Sequence, residues 1–178
     1  ATAAPNVQLL DIALIEDTSF NISDLKELND LVVLKLIDGS EIKEVNLDGI
    51  QEFDQLRTLE ININSRSIEE IDLTPLSSHP ELAVLTIACS AKKLKGLEVL
   101  NTIPKLESIG LYSLDVPEID LTALSSSKNL ESIYMGDLGQ ENPTDPYRIS
   151  LPKNSSLKIV ELSECYSKEL KVELDEWF

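Results

Sequence analysis

The sequence IDLTPLSS at residues 71–78, followed by LAVLTI at residues 82–87, decides the fold of this chain. Both parts return 48 residues later, as IDLTALSS at 119–126 and LESIYM at 130–135. A near-identical string that recurs in register is an internal repeat, and periods of about 20 to 50 residues are typical of solenoids and related arrays. The chain is therefore expected to be an array of similar units.

The motif Leu-x-x-Leu-x-Leu, with Ile, Val or Met as substitutes, divides this period into two units of about 24 residues. In each copy the last two apolar residues alternate with a variable residue, which is the periodicity of a strand with one buried face. The seven copies are Leu9/Ile12/Leu14, Leu31/Leu34/Leu36, Leu56/Leu59/Ile61, Leu82/Leu85/Ile87, Leu106/Ile109/Leu111, Leu130/Ile133/Met135 and Leu157/Val160/Leu162.

A second set of apolar residues lies between these predicted strands. Apolar-polar-apolar triplets at 45–47, 71–73, 119–121, 149–151 and 172–174 indicate short extended pieces. Apolar residues three apart, such as Leu47, Ile50 and Phe53, indicate one or two helical turns in each unit. N-caps of these turns are predicted at Ser23, Asp48, Thr74, Glu98 and Thr122, because four of the five are residue types favoured there.

No unit can bury its apolar edge alone, so we expect the units to stack into one elongated core. The units resemble those of leucine-rich repeat proteins, and Asp-Leu-Thr-Pro-Leu at 72–76 is similar to the internalin-like repeats of bacteria. The asparagine of the family motif is matched by Asn64, and Cys165 stands in the same place. The resemblance implies an α/β fold, a curved right-handed solenoid with a parallel β-sheet on its concave face and short helical or extended segments on its convex face.

The domain prediction follows from the repeat positions. Residues 1–8 are an N-terminal lead-in, and residues 9–178 are one domain of about seven repeats that start near residues 9, 31, 56, 82, 106, 130 and 157. Residues 140–146 carry two prolines and no apolar side chain, so they are predicted to form a loop. No polar terminal cap is evident, so we expect either a fragment of a longer array or a lid formed by Trp177 and Phe178.

Charge and cysteine content narrow the classes of partner and compartment. Fifteen Lys and Arg against 32 Asp and Glu give a net charge of −17, which repels phosphate backbones and anionic lipid. We therefore expect no nucleic-acid partner and no membrane insertion, since no apolar run is long enough to cross a bilayer.

Cys89 and Cys165 lie three units apart, roughly 14 Å at the usual strand spacing, so no disulfide joins them. Two free thiols slightly favour a cytoplasmic location and leave a secreted or cell-surface one open.

Residues able to carry catalysis are sparse. His79 is the single histidine and lies in a column occupied by Leu28, Phe53 and Ile103 in other units, which indicates a core-edge or surface position. The sequence contains no Gly-rich phosphate loop, and its acidic residues do not follow a calcium-loop spacing. We therefore expect no enzymatic activity, no cofactor and no metal in this chain.

The variable positions between the leucines are the candidate site, because they point outward from the concave face. Tyr112 and Tyr134 fall diagonally on adjacent strands, and the neighbouring Gly110 and Gly136 are expected to leave space beside them. Exposed tyrosines beside a shallow recess are typical of binding hot spots, although they could also merely cover their neighbours' backbone. The predicted protein-binding residues are Tyr112, Tyr134, Glu131, Asp137 and Glu161.

The function that follows is a non-enzymatic protein-interaction module with a protein or peptide ligand. Two alternatives stay open at this point. The chain could be a structural spacer or scaffold segment of a larger protein, or the substrate-recognition arm of an enzyme whose catalytic domain lies outside the chain.

Overall fold

The computed structural model describes residues 6–138, 147–163 and 170–174. The predicted loop at 140–146, Cys165 and the Trp177–Phe178 pair lie outside these residues. The strands are β1 (Leu9–Ala13), β2 (Ser19–Asn21), β3 (Val33–Ile37), β4 (Glu44–Asn46), β5 (Thr58–Ile63), β6 (Ile71–Asp72), β7 (Val84–Cys89), β8 (Leu94–Lys95), β9 (Ser108–Tyr112), β10 (Glu118–Asp120), β11 (Ser132–Gly136), β12 (Tyr147–Leu151), β13 (Ile159–Ser163) and β14 (Leu170–Leu174).

One parallel sheet contains a strand from each copy of the leucine motif. Its order is β1-β3-β5-β7-β9-β11-β13, and all neighbouring strands pair in parallel. The motif leucines align across the strands, as in the row that joins Leu34, Leu59 and Leu85. These three side chains are fully buried, since alternate residues of a strand point to the same face. The prediction of a repeat solenoid is confirmed.

The first unit has a different register from the one that the sequence suggested. Leu10 pairs with Leu34 and Ile12 pairs with Leu36, whereas Leu9 is 58% exposed. The assignment Leu9/Ile12/Leu14 is therefore wrong, and Val7 takes the first place of the motif. Leu14 follows the strand at the point where the chain turns into the core, so it is buried. The prediction took this residue for the last leucine of the motif. The domain limits at residues 9 and 178 otherwise stay predictions.

The second-side strands of the units do not form one continuous sheet. They pair as β2-β4, β6-β8 and β10-β12-β14. Paired strands lie about 4.8 Å apart, so the units stand further apart at the two breaks than they do in the seven-stranded sheet. Clefts of about 450 and 420 Å³ open at these breaks, beside β4 and β6 and beside β8 and β10. The solenoid is therefore wider on this side, and the seven-stranded sheet lines its concave face.

Short 3₁₀ turns follow most of the second-side strands, where helical turns were predicted. They span Ile22–Leu25, Ile50–Glu52, Thr74–Leu76, Leu97–Thr102 and Thr122–Ser126. Each turn buries one or more apolar residues, for example Leu76 and Leu124, against the core. These residues and the strand leucines form one continuous aliphatic cluster.

At four of these turns, the residue that holds the start lies two positions earlier than the predicted cap. The turn Leu97–Thr102 begins after Gly96 and has no side-chain cap. The side-chain oxygens of Asn21, Asn46, Asp72 and Asp120 accept the backbone N–H two residues on, at 2.8–3.0 Å. Thr74 and Thr122, predicted as caps, instead lie in the first turn and donate their hydroxyls to Asp72 and Asp120 at 2.6 Å. The N-cap prediction was wrong because Asx turns at the strand ends satisfy these N–H groups first.

Candidate functional site: the concave face

The concave face presents three outward columns, because every second residue of each parallel strand points away from the core. The middle column is Asp11, Lys35, Glu60, Thr86, Gly110, Tyr134 and Glu161. The column before it is Leu9, Val33, Thr58, Val84, Ser108, Ser132 and Ile159. The column after it is Ala13, Ile37, Asn62, Ala88, Tyr112, Gly136 and Ser163.

Nine outward positions on β7, β9 and β11 form a patch without any charged side chain, which we call the uncharged centre. Charged residues flank it, with the Lys35–Glu60 ion pair (3.2 Å) on one side and Glu161 on the other. In a chain with 26% charged residues, this gap is a distinct feature of the surface. The uncharged centre consists of Val84, Thr86, Ala88, Ser108, Gly110, Tyr112, Ser132, Tyr134 and Gly136.

The ring of Tyr112 lies across two glycines. A β-carbon on Gly110 would stand only 2.9 Å from Tyr112 Cε2, and one on Gly136 would stand 3.2 Å from Tyr112 Cδ1. Both distances are shorter than ordinary carbon–carbon contacts. The space that the sequence predicted beside Tyr112 is therefore filled by its own ring and, above Gly136, also by Ser163 Oγ, which would lie 2.6 Å from such a β-carbon. The glycines fix the orientation of the aromatic ring and do not leave an open recess there.

Tyr112, Tyr134 and Glu161 form one electrostatic cluster. Tyr134 is in register with Glu161 on one neighbouring strand and with Gly110 on the other. Partial burial raises the pKa of the Tyr112 hydroxyl, and the negative charge of Glu161 and the nearby Tyr134 raise it further. The structure thus brings these three predicted site residues together on the concave face.

The other two predicted site residues lie at opposite ends of β11. Glu131 precedes the strand and forms an ion pair with Lys158 at 2.7 Å. Asp137 follows the strand, has a positive φ of 51°, and accepts the hydroxyl of Ser113 at 2.8 Å. Both side chains are at the edge of the face and have partners within the chain, so they flank the tyrosines without contributing to the uncharged centre.

The lysines beside the concave strands are paired with carboxylates of the preceding unit. Lys105 Nζ lies 2.5 Å from Glu81 Oε1, and Lys158 is paired with Glu131 as described. Glu107 and Glu161 are exposed and form no ion pair within the part of the chain that the structure describes. The rim of the uncharged centre is therefore acidic. Glu107 was not singled out from the sequence, although it holds the same place in its unit as Glu131 does in the next one.

No protein-family model matches the chain, and no curated protein matches its sequence. Among solved structures, the chain is similar to internalin C2 (inlC2) of Listeria monocytogenes str. 4b F2365, with 20% sequence identity, 88% of this chain and 80% of that chain covered, and a TM-score of 0.32. The chain's own architecture decides the fold: one parallel strand for each motif copy, with 3₁₀ turns and short strands opposite. The fold is a leucine-rich repeat solenoid.

Among the described residues of this leucine-rich repeat solenoid, the asparagine position of the repeat motif does not form a row of buried asparagines. Asn64 is exposed, and Leu114 and Leu138, which stand at the same place in later units, are fully buried. Polar side chains that link units do occur elsewhere in the solenoid. Buried Asn154 donates its amide to the carbonyls of Leu124 and Ser127 at 2.8 and 2.7 Å.

His79 is a core residue of the solenoid. Its Nδ1 accepts the backbone N–H of Leu82 at 3.2 Å, and its buried Nε2 has no hydrogen-bond partner among the described residues. Burial lowers the pKa of the imidazole, whereas the carbonyls of Ile50 and Phe53 and the carboxylates of Asp54 and Glu81 partly oppose this shift. An imidazole enclosed in this way is not accessible to a substrate.

Cys89 is likewise buried, and burial raises the pKa of its thiol to about 11. A thiol with such a pKa is protonated at neutral pH and is a poor nucleophile and metal ligand. Across residues 6–138 and 147–163, no three or more His, Cys, Asp or Glu side chains are grouped to hold a metal ion. None of the helical segments that the structure describes could cross a membrane.

Proposed function

We propose that this chain is a non-enzymatic protein-interaction module that binds a protein or peptide on its concave face. The observation that carries the proposal is the uncharged centre with Tyr112 and Tyr134, set in a chain of net charge −17. The cores of protein interfaces are depleted of charge and enriched in tyrosine, whereas a surface selected only for solubility would carry charge there. A polar or charged rim around such a core is also usual, and here it is acidic.

The mechanism of binding is preorganisation. The parallel strands hold the outward side chains in fixed rows, and the two glycines beneath Tyr112 hold its ring against the sheet. Tyrosine has few rotatable bonds and combines a large apolar surface with a polar hydroxyl, so little entropy is lost when it contacts a partner. A rigid face of this kind can select one ligand without rearrangement of the backbone.

The test is the double variant Tyr112→Ala, Tyr134→Ala. Proteins captured on the wild-type chain are identified and purified, and the Kd of each is measured by calorimetry. A hot-spot tyrosine contributes on the order of 2 kcal/mol, and the loss of even one of the two weakens binding about thirtyfold, so we expect at least this loss in the double variant. A partner that binds the double variant with wild-type Kd would contradict the proposal.

The matched control changes two exposed residues on the other side of the solenoid. Lys26→Ala and Glu98→Ala remove side chains at the 3₁₀ turns, and we expect them to leave the Kd unchanged. Thermal unfolding of all variants checks that the fold is retained. The spacer alternative makes the opposite prediction, namely that no partner distinguishes the concave variant from the control.

A further inference from the structure

We propose that Tyr112, Tyr134 and Glu161 together form a seat for a cationic side chain, an arginine from a basic segment of the partner. This inference rests on the proposed function, because it names the ligand chemistry of the same concave face. We call these three residues the cation seat. Charge complementarity and the geometry of the two tyrosine rings favour an arginine as the occupant.

The geometry of the cation seat comes from the register of three strands. Tyr134 on β11 stands directly beside Glu161 on β13, about 4.8 Å away along the sheet. Tyr112 on β9 is in register with Gly136 on β11, and a β-carbon on Gly136 would stand 3.2 Å from Tyr112 Cδ1 and 2.6 Å from Ser163 Oγ on β13. The Tyr112 ring and β13 therefore meet above Gly136. The negative charge of Glu161 acts on the Tyr112 hydroxyl from two strands away, so the three side chains share one small area of the face.

The charge of the cation seat is not neutralised by the lysines beside it. Lys35 on the concave face is paired with Glu60, Lys105 with Glu81 and Lys158 with Glu131. Glu161 is exposed and, within the described residues, forms no ion pair. Among the described residues no cation pairs with the Glu161 carboxylate beside the two tyrosines, and such a carboxylate favours an external cation.

Arginine fits this arrangement better than other cations do. Its planar guanidinium can lie over a tyrosine ring while its N–H groups donate to a carboxylate, two contacts that a compact ammonium makes less well. The net charge of −17 also raises the local concentration of basic ligands before contact. If a partner segment carries one arginine among small uncharged residues, binding of the arginine in the cation seat would place those small residues over the uncharged centre.

The probe is the peptide acetyl-Gly-Ser-Arg-Ser-Gly-amide, compared with the same peptide that carries uncharged citrulline. Each is titrated into the ¹⁵N-labelled full chain, and amide shifts are followed on β9, β11 and β13. We expect the arginine peptide to perturb Tyr134, Gly136 and Glu161 and to bind roughly three- to tenfold more tightly than the citrulline peptide. We expect Glu161→Gln to remove this preference.

The matched control is Glu60→Gln. It removes a carboxylate from the same concave face, but one that is already paired with Lys35. It should leave the preference for arginine unchanged. The cation seat is overturned if neither peptide perturbs these strands, if citrulline binds as well as arginine, or if Glu60→Gln weakens binding as much as Glu161→Gln does.

The failure of this inference differs from the failure of the proposed function. A natural partner that depends on the two tyrosines but binds the Glu161→Gln variant normally would overturn the cation seat alone. A partner that ignores the tyrosines would overturn both.

Discussion

At the scale of single residues, His79 carries a titratable group into the aliphatic core. In other units the equivalent position holds the buried residues Phe53 and Ile103, so the fold requires a large side chain there but not an imidazole. Because Nδ1 accepts the Leu82 N–H, the neutral ring must carry its proton on Nε2. A second proton would have to go to Nδ1 and would break that hydrogen bond.

We expect His79 to make the stability of the solenoid depend on pH. Burial lowers the pKa of the folded state below the ordinary value of 6.5, so the unfolded chain binds the proton first. The stabilisation is complete above pH 6.5 and is lost as the pH falls through the folded pKa, by at most about 1.4 kcal/mol per pH unit. Urea unfolding between pH 7.5 and 5.5 measures it.

The control is His79→Leu, which removes the proton site and keeps an apolar side chain of the type found at Leu28. Its unfolding free energy should fall less than that of the wild type over the same pH range. Parallel curves for the two proteins would contradict a role of the imidazole in the pH dependence.

The cation seat also belongs to the residue scale, and only part of it could be read from the sequence. The repeat pattern placed Tyr112 and Tyr134 on adjacent strands, because strand alternation fixes which residues point outward. It could not show that Tyr112 fills the space above Gly110 and Gly136, since ring orientation depends on three-dimensional contacts. Nor could the repeat pattern predict the ion pair between Glu131 and Lys158, because the conformations of these long, flexible side chains depend on their local surroundings. The five residues stay a predicted binding site.

At the scale of elements, an Asx side chain holds the junction between a second-side strand and its 3₁₀ turn at four of the five turns. Asp72 is the strongest example, because its carboxylate accepts both the N–H and the hydroxyl of Thr74 and also pairs with Lys95 at 2.5 Å. These hydrogen bonds and the lysine charge lower the pKa of Asp72 to about 2 despite the opposing effect of burial. The junction is therefore stabilised by the ionised form.

We expect Asp72→Ala to lower the free energy of unfolding by about 1 kcal/mol, the usual cost of a lost capping group. Asp72→Asn keeps an oxygen that can accept the Thr74 N–H, as Asn46 does for its own turn, so it should cost less. Denaturant unfolding at pH 7 measures both variants.

The same comparison at acidic pH tests the role of the charge. Since the folded pKa is about 2 and the ordinary value is 3.8, the wild-type advantage over Asp72→Asn is present above pH 4 and disappears as the pH falls towards 2. An advantage that did not change over this range would mean that the carboxylate acts only as a neutral acceptor.

The elements themselves were predictable where the repeat is regular. Seven strands came from one motif, because each copy places two apolar residues on the inward face of the sheet. β2 and β8 were missed, although β4, β6 and β10 are equally short. Gly96 follows β8, so the apolar-polar-apolar triplet is absent there, whereas Phe20, Asn21 and Ile22 form such a triplet that the prediction left out. The first strand was misaligned by two residues because Leu9 and Leu14 both resemble motif leucines, and only pairing with β3 distinguishes them.

At the scale of the whole molecule, each unit is bound mainly to its two neighbours. The aliphatic core runs through the stack, and ion pairs join adjacent units. Lys92, for example, pairs with Glu69 of the unit before at 2.7 Å, and Lys35 pairs with Glu60 of the unit after at 3.2 Å. Such exposed pairs contribute little, roughly 0–1 kcal/mol each, so apolar stacking dominates stability. The pairs leave the excess negative charge on the surface, where it is available to a basic partner.

The most direct measurement of the binding role is hydrogen exchange of the chain alone and in complex with its purified partner. We expect the partner to slow exchange in peptides that cover 84–89, 108–112, 132–136 and 159–163, the concave strands around Tyr112 and Tyr134. We expect the 3₁₀ turns at 50–52, 74–76 and 97–102 to exchange as they do in the free chain. Protection confined to those turns, with the strands unchanged, would contradict a concave binding face.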